Sequence, residues 1–130
     1  MLDLPFNHTV TIIIITVIIS MVAFSNQNVM NRLIFWPPAM QRGQYDRFIT
    51  HGFIHADGMH LLFNMFTLFF FGSIIESFYR QYFFDLGFVL FYLGGLIFAI
   101  LPSYLKHKND VRWASLGASG AVSAVLFAYV

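Results

Sequence analysis

The chain has 130 residues, of which 58% are hydrophobic and only 10% charged, and its mean hydropathy is +0.71. Seven Lys or Arg and six Asp or Glu are too few to cover a water-soluble globule, and seventeen Phe are more than its core could hide. The composition therefore excludes an ordinary soluble domain and predicts a protein whose solvent is the lipid bilayer. The net charge of +1, without a basic stripe, argues against nucleic acid as a partner. The lack of cysteine excludes disulfides and thiolate chemistry.

Apolar runs predict an all-α, polytopic bundle of transmembrane helices in a single domain, 1–130. The predicted spans cover residues 9–24, 59–78, 83–101 and 114–130. The first is expected to be retained rather than removed as a signal peptide, because its leader carries Asp3 and no Lys or Arg. The fourth is still apolar at Val130 and shorter than the roughly 20 residues of a typical span. We therefore expect the chain to be truncated within the fourth span.

The predicted connectors are a long loop over 25–58, a helical hairpin at Tyr79–Tyr82, and a third segment, Pro102–Trp113. Polar residues, prolines and charges interrupt every apolar run of the long loop before it reaches spanning length. Its short apolar stretches, Val29–Trp36 and Phe48–Ile54, are typical of segments that lie in the headgroup zone. The two longer connectors hold six of the seven basic residues, so the positive-inside rule places them in the cytoplasm.

Polar side chains inside a span require a partner or a purpose, because an unsatisfied one costs several kcal/mol. His60 and Asn64 are separated by four residues and therefore share one face of the second span, with Thr67 close to the same stripe. One interpretation is structural, since Asn and His commonly form hydrogen bonds between packed membrane helices.

The fourth span opens with Gly117-Ala118-Ser119-Gly120. Small residues on this helix are typical of close packing between membrane helices, and a motif of this kind on its own favours that interpretation. A serine at a helix N-terminus also lies among backbone N–H groups that can hold an oxyanion, to which Asn64 and His60 could add side-chain donors. A general base for Ser119 is still needed. His60 could serve, but Asn64 would then be the only side-chain donor.

At these residues the sequence resembles the rhomboid family of intramembrane serine proteases. The resemblance runs from an arginine of the long loop, Arg47, through a His-x4-His-x3-Asn pattern and a glutamate late in the second span, to the Gly-Ala-Ser-Gly motif. The pattern is formed by His55, His60 and Asn64, and the glutamate is Glu76. The resemblance differs at one position, where Asp46 precedes Arg47 in place of the family's usual Trp.

The resemblance implies a serine endopeptidase that cleaves transmembrane proteins within the bilayer, as an integral, multi-pass membrane protein without cofactor or metal. Ser119 would be the nucleophile, and Asn64, His60 and the Ser119 N–H would form the oxyanion hole. Structural or loop roles fall to Arg47, His55, Glu76, Gly117 and Gly120.

Rhomboids take their catalytic histidine from a sixth span, so this residue is expected beyond residue 130 and the 130 residues alone are expected to be inactive. The family's usual orientation places the N-terminus in the cytoplasm and the serine towards the outside, against the charge count. Because the order of the motifs fixes which side of the membrane the serine faces, we expect the family's orientation rather than the one that the charge count indicates.

Two other functions fit parts of the pattern. A rhomboid-like pseudoprotease would bind membrane-protein clients without cleaving them, which needs no histidine partner for the serine. A transporter or haem-binding bundle would use His51, His55 and His60, but axial ligation needs histidines on facing helices, and these three cluster at one end of one span. The oligomeric state, the substrate and the particular membrane are not encoded in any recognisable motif.

Overall fold

The computed structural model describes residues 7–130, and within this range the chain folds into an all-α bundle. The helices are α1 (His8–Ser25), α2 (Gln27–Leu33), α3 (Pro37–Gln41), α4 (Arg47–Thr50), α5 (Gly58–Tyr82), α6 (Gly87–His107) and α7 (Ser119–Tyr129), and a single 3₁₀ turn, His51–Phe53, follows α4. Helices α1, α5 and α6 are long and apolar enough to cross a membrane, and α7 is a shorter apolar helix. The protein is therefore an integral, multi-pass membrane protein.

Helix α1 packs against α5, and a buried carboxylate joins the two. Glu76 of α5 accepts hydrogen bonds from the backbone N–H groups of His8 and Thr9, at 2.8 and 2.9 Å, and from the Thr9 hydroxyl at 2.8 Å. The first N–H groups of a helix have no partner within the helix, and a negative charge beside them is favourable. Glu76 also pairs with Arg80 at 2.8 Å. The helices approach closely at Gly72, where a Cβ atom would lie 2.7 Å from the Thr9 methyl group.

Helices α5 and α6 both pack against α7, which lies beside them with Ala121, Val122 and Val125 buried in the core. The core cluster combines apolar side chains of all three helices, including Leu61, Met65, Leu68, Leu96, Ala118, Ala121, Val122 and Val125. Small residues allow α6 and α7 to approach closely: a Cβ atom at Gly95 would lie 3.1 Å from the Ala121 backbone. Tight packing of this kind is typical of membrane helices, in which hydrophobicity alone does not drive association.

The predicted long loop, 25–58, contains α2, α3, α4 and the 3₁₀ turn. A second cluster of apolar side chains forms beneath it, in which Phe35 makes edge-to-face contacts with Phe48, Tyr104 and Trp113. Because Tyr104 lies in α6 and Trp113 in the connector before α7, this aromatic cluster fixes the loop to the far end of α6. The segment is thus a packed subdomain rather than an irregular connection.

Several predicted boundaries of the spans differ from the helix ends in the structure. The predicted hairpin, Tyr79–Tyr82, is the last turn of α5, which continues because Arg80 pairs with Glu76 one turn earlier. The chain instead turns between Phe83 and Leu86, so α6 begins four residues later than the predicted start at 83.

The predicted end of the third span at residue 101 is also displaced, because α6 continues through Pro102 to His107. Pro102 is exposed, so its ring costs a backbone hydrogen bond without disturbing the core. Tyr104, two residues later, is held by Phe35 and Phe48, which stabilises the continuation. The fourth predicted span, 114–130, is helical only over Ser119–Tyr129, because residues 114–118 form a non-helical approach to the helix.

Candidate active site

Ser119 is the first residue of α7, and its side chain is exposed. The first intrahelical hydrogen bond runs from Val122 N–H to the Ala118 carbonyl at 2.9 Å. Among residues 7–130, neither the Ser119 hydroxyl nor the N–H groups of Ser119, Gly120 and Ala121 have an acceptor. The serine hydroxyl therefore lies beside three unpaired backbone donors at the positive end of a helix, which is an arrangement suited to binding an oxyanion.

The approach to Ser119 is hydrogen-bonded to the long loop. Ser115 and Phe35 exchange both backbone hydrogen bonds, at 2.9 and 3.0 Å, as an isolated antiparallel bridge. Gly117 donates its N–H to the His51 carbonyl at 2.8 Å. Gly117 has φ +109°, a conformation that L side chains rarely adopt, so glycine allows the chain to turn directly into α7 here. Contacts with the long loop therefore fix where α7 begins, and with it the position of Ser119.

His60 and Asn64 lie on the first two turns of α5, the helix that packs along α7. His60 is exposed and Asn64 half-buried. In the part of the chain that the structure describes, neither side chain forms a hydrogen bond, whereas Thr67 bonds to the Phe63 carbonyl of its own helix at 3.0 Å. Bonding of Asn64 or His60 to another helix, the structural interpretation of this stripe, is therefore not seen over 7–130. Their donors are available to a ligand.

His55 is fully buried, with 0% of its surface exposed, and both ring nitrogens have partners. Nε2 accepts the Ala118 N–H at 3.2 Å, and Nδ1 lies 3.1 Å from the Ser20 hydroxyl, which donates to the Phe53 carbonyl at 2.9 Å. The pKa of His55 is lowered to about 4. The largest cause is burial, and the positive charge of a protonated His60 nearby contributes to the same shift. His55 is therefore neutral at physiological pH.

The same contacts bear on the haem-binding alternative. His51 is buried with Nε2 3.3 Å from the Leu96 carbonyl, and burial lowers its pKa. Ligation by His51 or His55 would require existing contacts to be broken, and the two rings lie in the loop rather than on facing helices.

Arg47 anchors the long loop from within, and only 6% of its surface is exposed. Its guanidinium donates to the carbonyls of Asn31 and Ile34, at 3.0 and 2.6 Å, and to the Gln44 side chain at 3.0 Å. Ile34 is the neighbour of Phe35, so Arg47 supports the strand-like segment that binds Ser115. Asp46, where the family usually has Trp, forms an exposed ion pair with Arg32 at 3.0 Å.

Gly120 follows the candidate nucleophile and faces Ala99 of α6. A Cβ atom at position 120 would overlap the Ala99 side chain, and this is the closest such approach at any glycine of the described chain apart from Gly52, which meets Leu96. The glycine after Ser119 is thus required by packing, and the contact holds the first turn of α7 against α6.

An apolar groove of about 580 Å³ runs along α5 towards the end of α7. It is lined by Phe63, Phe66, Thr67, Phe70, Phe71, Ile74 and Tyr129. The groove lies on the same helix as His60 and Asn64.

Several residues of the site were not singled out by sequence reasoning. Ser20 and Ala118 complete the His55 contacts, and Phe35 and Ser115 form the bridge that leads to Ser119. One signal was present, because Thr9, Thr16 and Ser20 recur at helical spacing on one buried face of α1. The Phe35 to Ser115 pairing has no local signal, since it joins segments far apart in the chain.

Comparisons with known proteins identify the family to which the sequence is similar. The family model described as the rhomboid domain matches residues 42–130. The chain is 32% identical over 126 residues to the rhomboid protease GlpG of Enterobacter sp. (strain 638), covering 94% of this chain and 41% of that protein. It is 31% identical over 115 residues to the mitochondrial RHOMBOID-like protein 12 of Arabidopsis thaliana, covering 79% and 34%.

A rhomboid protease GlpG of Klebsiella pneumoniae (strain 342) is 29% identical over 124 residues, again covering 94% of this chain and 41% of the relative. The chain thus spans less than half the length of these curated relatives. With most of its sequence matched by the family model and the motif residues on the helices described above, this chain belongs to the rhomboid family.

Proposed function

We propose that this chain carries the nucleophile and the oxyanion-binding groups of an intramembrane serine endopeptidase that cleaves transmembrane proteins. The observation that carries the proposal is the exposed Ser119 at the start of α7, beside N–H groups that have no acceptor over residues 7–130. His60 and Asn64, with uncommitted side chains, lie on the helix packed against it. Polar groups in a membrane protein rarely remain unpaired without a function.

In the proposed reaction, the Ser119 hydroxyl oxygen attacks the scissile carbonyl carbon and transfers its proton to a histidine. The oxyanion that forms is held by the Ser119 N–H, Asn64 and His60, and removal of a strong donor of this kind typically costs about 3 to 4 kcal/mol. The tetrahedral intermediate collapses when the C–N bond breaks and the histidine gives the proton to the leaving amine. Water then hydrolyses the acyl-enzyme and regenerates Ser119.

The histidine is proposed to come from sequence beyond residue 130, since the chain spans only 41% of the length of its GlpG relatives. Most of the histidines present have other contacts: His8 binds Asp85, His107 stacks on Trp113, and His51 and His55 are buried. His60 is the exception, and its use as a base would leave Asn64 as the only side-chain donor.

A transmembrane substrate is proposed to lie along the apolar groove of α5, which would bring its backbone towards Asn64. Phenylalanine side chains form most of this wall, so it suits an apolar helix or its unwound end. The partners of the protein would then be the lipid bilayer and transmembrane substrates.

A client-binding pseudoprotease is the second candidate. Within the described part of the chain, no histidine nitrogen is hydrogen-bonded to the Ser119 hydroxyl, which is expected for this role and equally for a protease whose histidine lies beyond residue 130. A binding role requires no such contact, although it gives no reason for the unpaired donors around Ser119.

Cleavage of a transmembrane reporter by the full protein, reconstituted in liposomes, separates the two candidates. Ser119→Ala should abolish cleavage. The matched control is Ser123→Ala, which removes an exposed hydroxyl one turn later on the same helix and should retain activity. Full activity of Ser119→Ala would reject the assignment of the nucleophile, and an inactive wild type would favour the binding role.

A further inference from the structure

A continuous chain of hydrogen bonds joins α1, the long loop and the first turn of α7 through His55. The contacts run from the Ala118 N–H to His55 Nε2 at 3.2 Å, from His55 Nδ1 to the Ser20 hydroxyl at 3.1 Å, and from that hydroxyl to the Phe53 carbonyl at 2.9 Å. Both side chains involved, those of His55 and Ser20, are buried. None of these contacts includes Ser119, Asn64 or His60.

The direction of every bond in this chain is fixed by chemistry. A backbone N–H can only donate, so Nε2 must carry no proton and must accept. In a neutral imidazole the proton then lies on Nδ1, which donates to the Ser20 oxygen. The Ser20 proton is left free to donate to the Phe53 carbonyl, which can only accept. One tautomer of His55 therefore satisfies the whole chain, and a protonated ring would lose the Ala118 bond.

We propose that His55 is a positioning residue of the active site, whose Nε2 holds the Ala118 N–H and thereby sets the direction of the Ser119 N–H. Ala118 is the N-cap of α7, is fully buried, and is joined to Ser119 by a single peptide. With the Ala118 N–H engaged by His55, the peptide cannot rotate to present this donor to a substrate. Of these two neighbouring backbone donors, only the Ser119 N–H is then left to join Asn64 and His60 at the oxyanion. This inference rests on the proposed function.

A pair of substitutions separates the Ala118 contact from the Ser20 contact. The terminal amide of Gln reaches the place of Nε2 and can offer its oxygen to Ala118, whereas the shorter amide of Asn reaches the place of Nδ1 and can donate to Ser20. His55→Gln therefore keeps the bond to α7 and loses the bond to α1, and His55→Asn does the reverse. Each variant loses one buried hydrogen bond, so a purely structural role predicts similar effects of both.

The experiment measures kcat and KM of the full protein in liposomes, the denaturation midpoint, and hydrogen exchange at the Ala118 amide by NMR. We expect His55→Asn to lower kcat roughly 10- to 100-fold relative to His55→Gln, with similar KM and midpoints, because small displacements of catalytic groups have effects of this size. The Ala118 amide should exchange faster in His55→Asn than in His55→Gln.

Equal kcat and equal Ala118 exchange in the two variants would overturn the inference. If the wild type neither cleaves nor reacts with a serine-directed phosphonate, the proposed function fails by itself. Amide exchange then decides alone whether His55 holds Ala118: a faster rate in His55→Asn supports the contact, and equal rates reject it.

Discussion

Phe35 and Ser115 exchange both backbone hydrogen bonds, at 2.9 and 3.0 Å, although eighty positions separate them in the numbering. Through this bridge the long first loop holds the chain immediately before the candidate nucleophile. Gly117 and Ala118 bind the same loop, through the His51 carbonyl and the His55 ring. The loop therefore acts as an anchor for the start of α7, and its stability and the geometry of Ser119 are linked.

Among the charged residues of the long loop, Arg47 should contribute most to the free energy of unfolding. Arg47→Ala removes three hydrogen bonds of a buried guanidinium and leaves the Asn31 and Ile34 carbonyls unpaired, so we expect a loss of about 2 to 4 kcal/mol in unfolding free energy. Arg32→Ala is the control, since its ion pair with Asp46 is half-exposed and worth less than about 1 kcal/mol. Denaturant titration in detergent micelles measures both, and equal losses would contradict the anchoring role.

A substitution at Gly120 that clashes with Ala99 should be rescued by a smaller residue at position 99. Gly120→Ala places a methyl group against the Ala99 side chain, and overpacking of this kind typically costs about 1 to 3 kcal/mol. Because the clash lies at the first turn of α7, cleavage should also fall. Adding Ala99→Gly makes room for the new methyl group and should restore stability and activity together. A double variant no better than Gly120→Ala would show that Gly120 is needed for another reason.

Acid should destabilise the fold through His55. Its pKa is about 4 in the folded protein, against 6.5 for an ordinary histidine, so the unfolded chain binds the proton first as the pH falls. The stability that neutral His55 contributes is full above pH 6.5 and is lost as the pH falls towards 4, by an amount on the order of 3 kcal/mol.

The comparison of wild type with His55→Gln over this pH range isolates the effect, because the lowered pKa of His51 acts equally in both proteins. The wild type should lose more stability than the variant between pH 6.5 and 4. Parallel curves would exclude His55 as the titrating group.

The sequence predicted those features that depend on local composition. Apolar length indicated the membrane helices, and the spacing of His60 and Asn64 placed both on one face of α5. The predicted ends of α5 and α6 differ from the structure for different reasons. Arg80 pairs with Glu76 one turn earlier in the same helix, a local pattern that the prediction did not use, whereas Tyr104 contacts Phe35 and Phe48 of the long loop, which no local pattern reveals. The resemblance predicted a structural or loop role for His55, but its contacts with Ala118 and Ser20, and the bridge between Phe35 and Ser115, were beyond prediction because they join separate segments.

The assignment of Ser119 as the nucleophile is tested most directly by covalent labelling. The full protein in its membrane is treated with a fluorophosphonate, and the modified residue is identified by peptide mass spectrometry. We expect one phosphonate adduct, on Ser119, which is lost in Ser119→Ala and kept in Ser123→Ala, because only an activated hydroxyl reacts at an appreciable rate. An unlabelled Ser119 in folded protein, or an adduct on another serine, would contradict it.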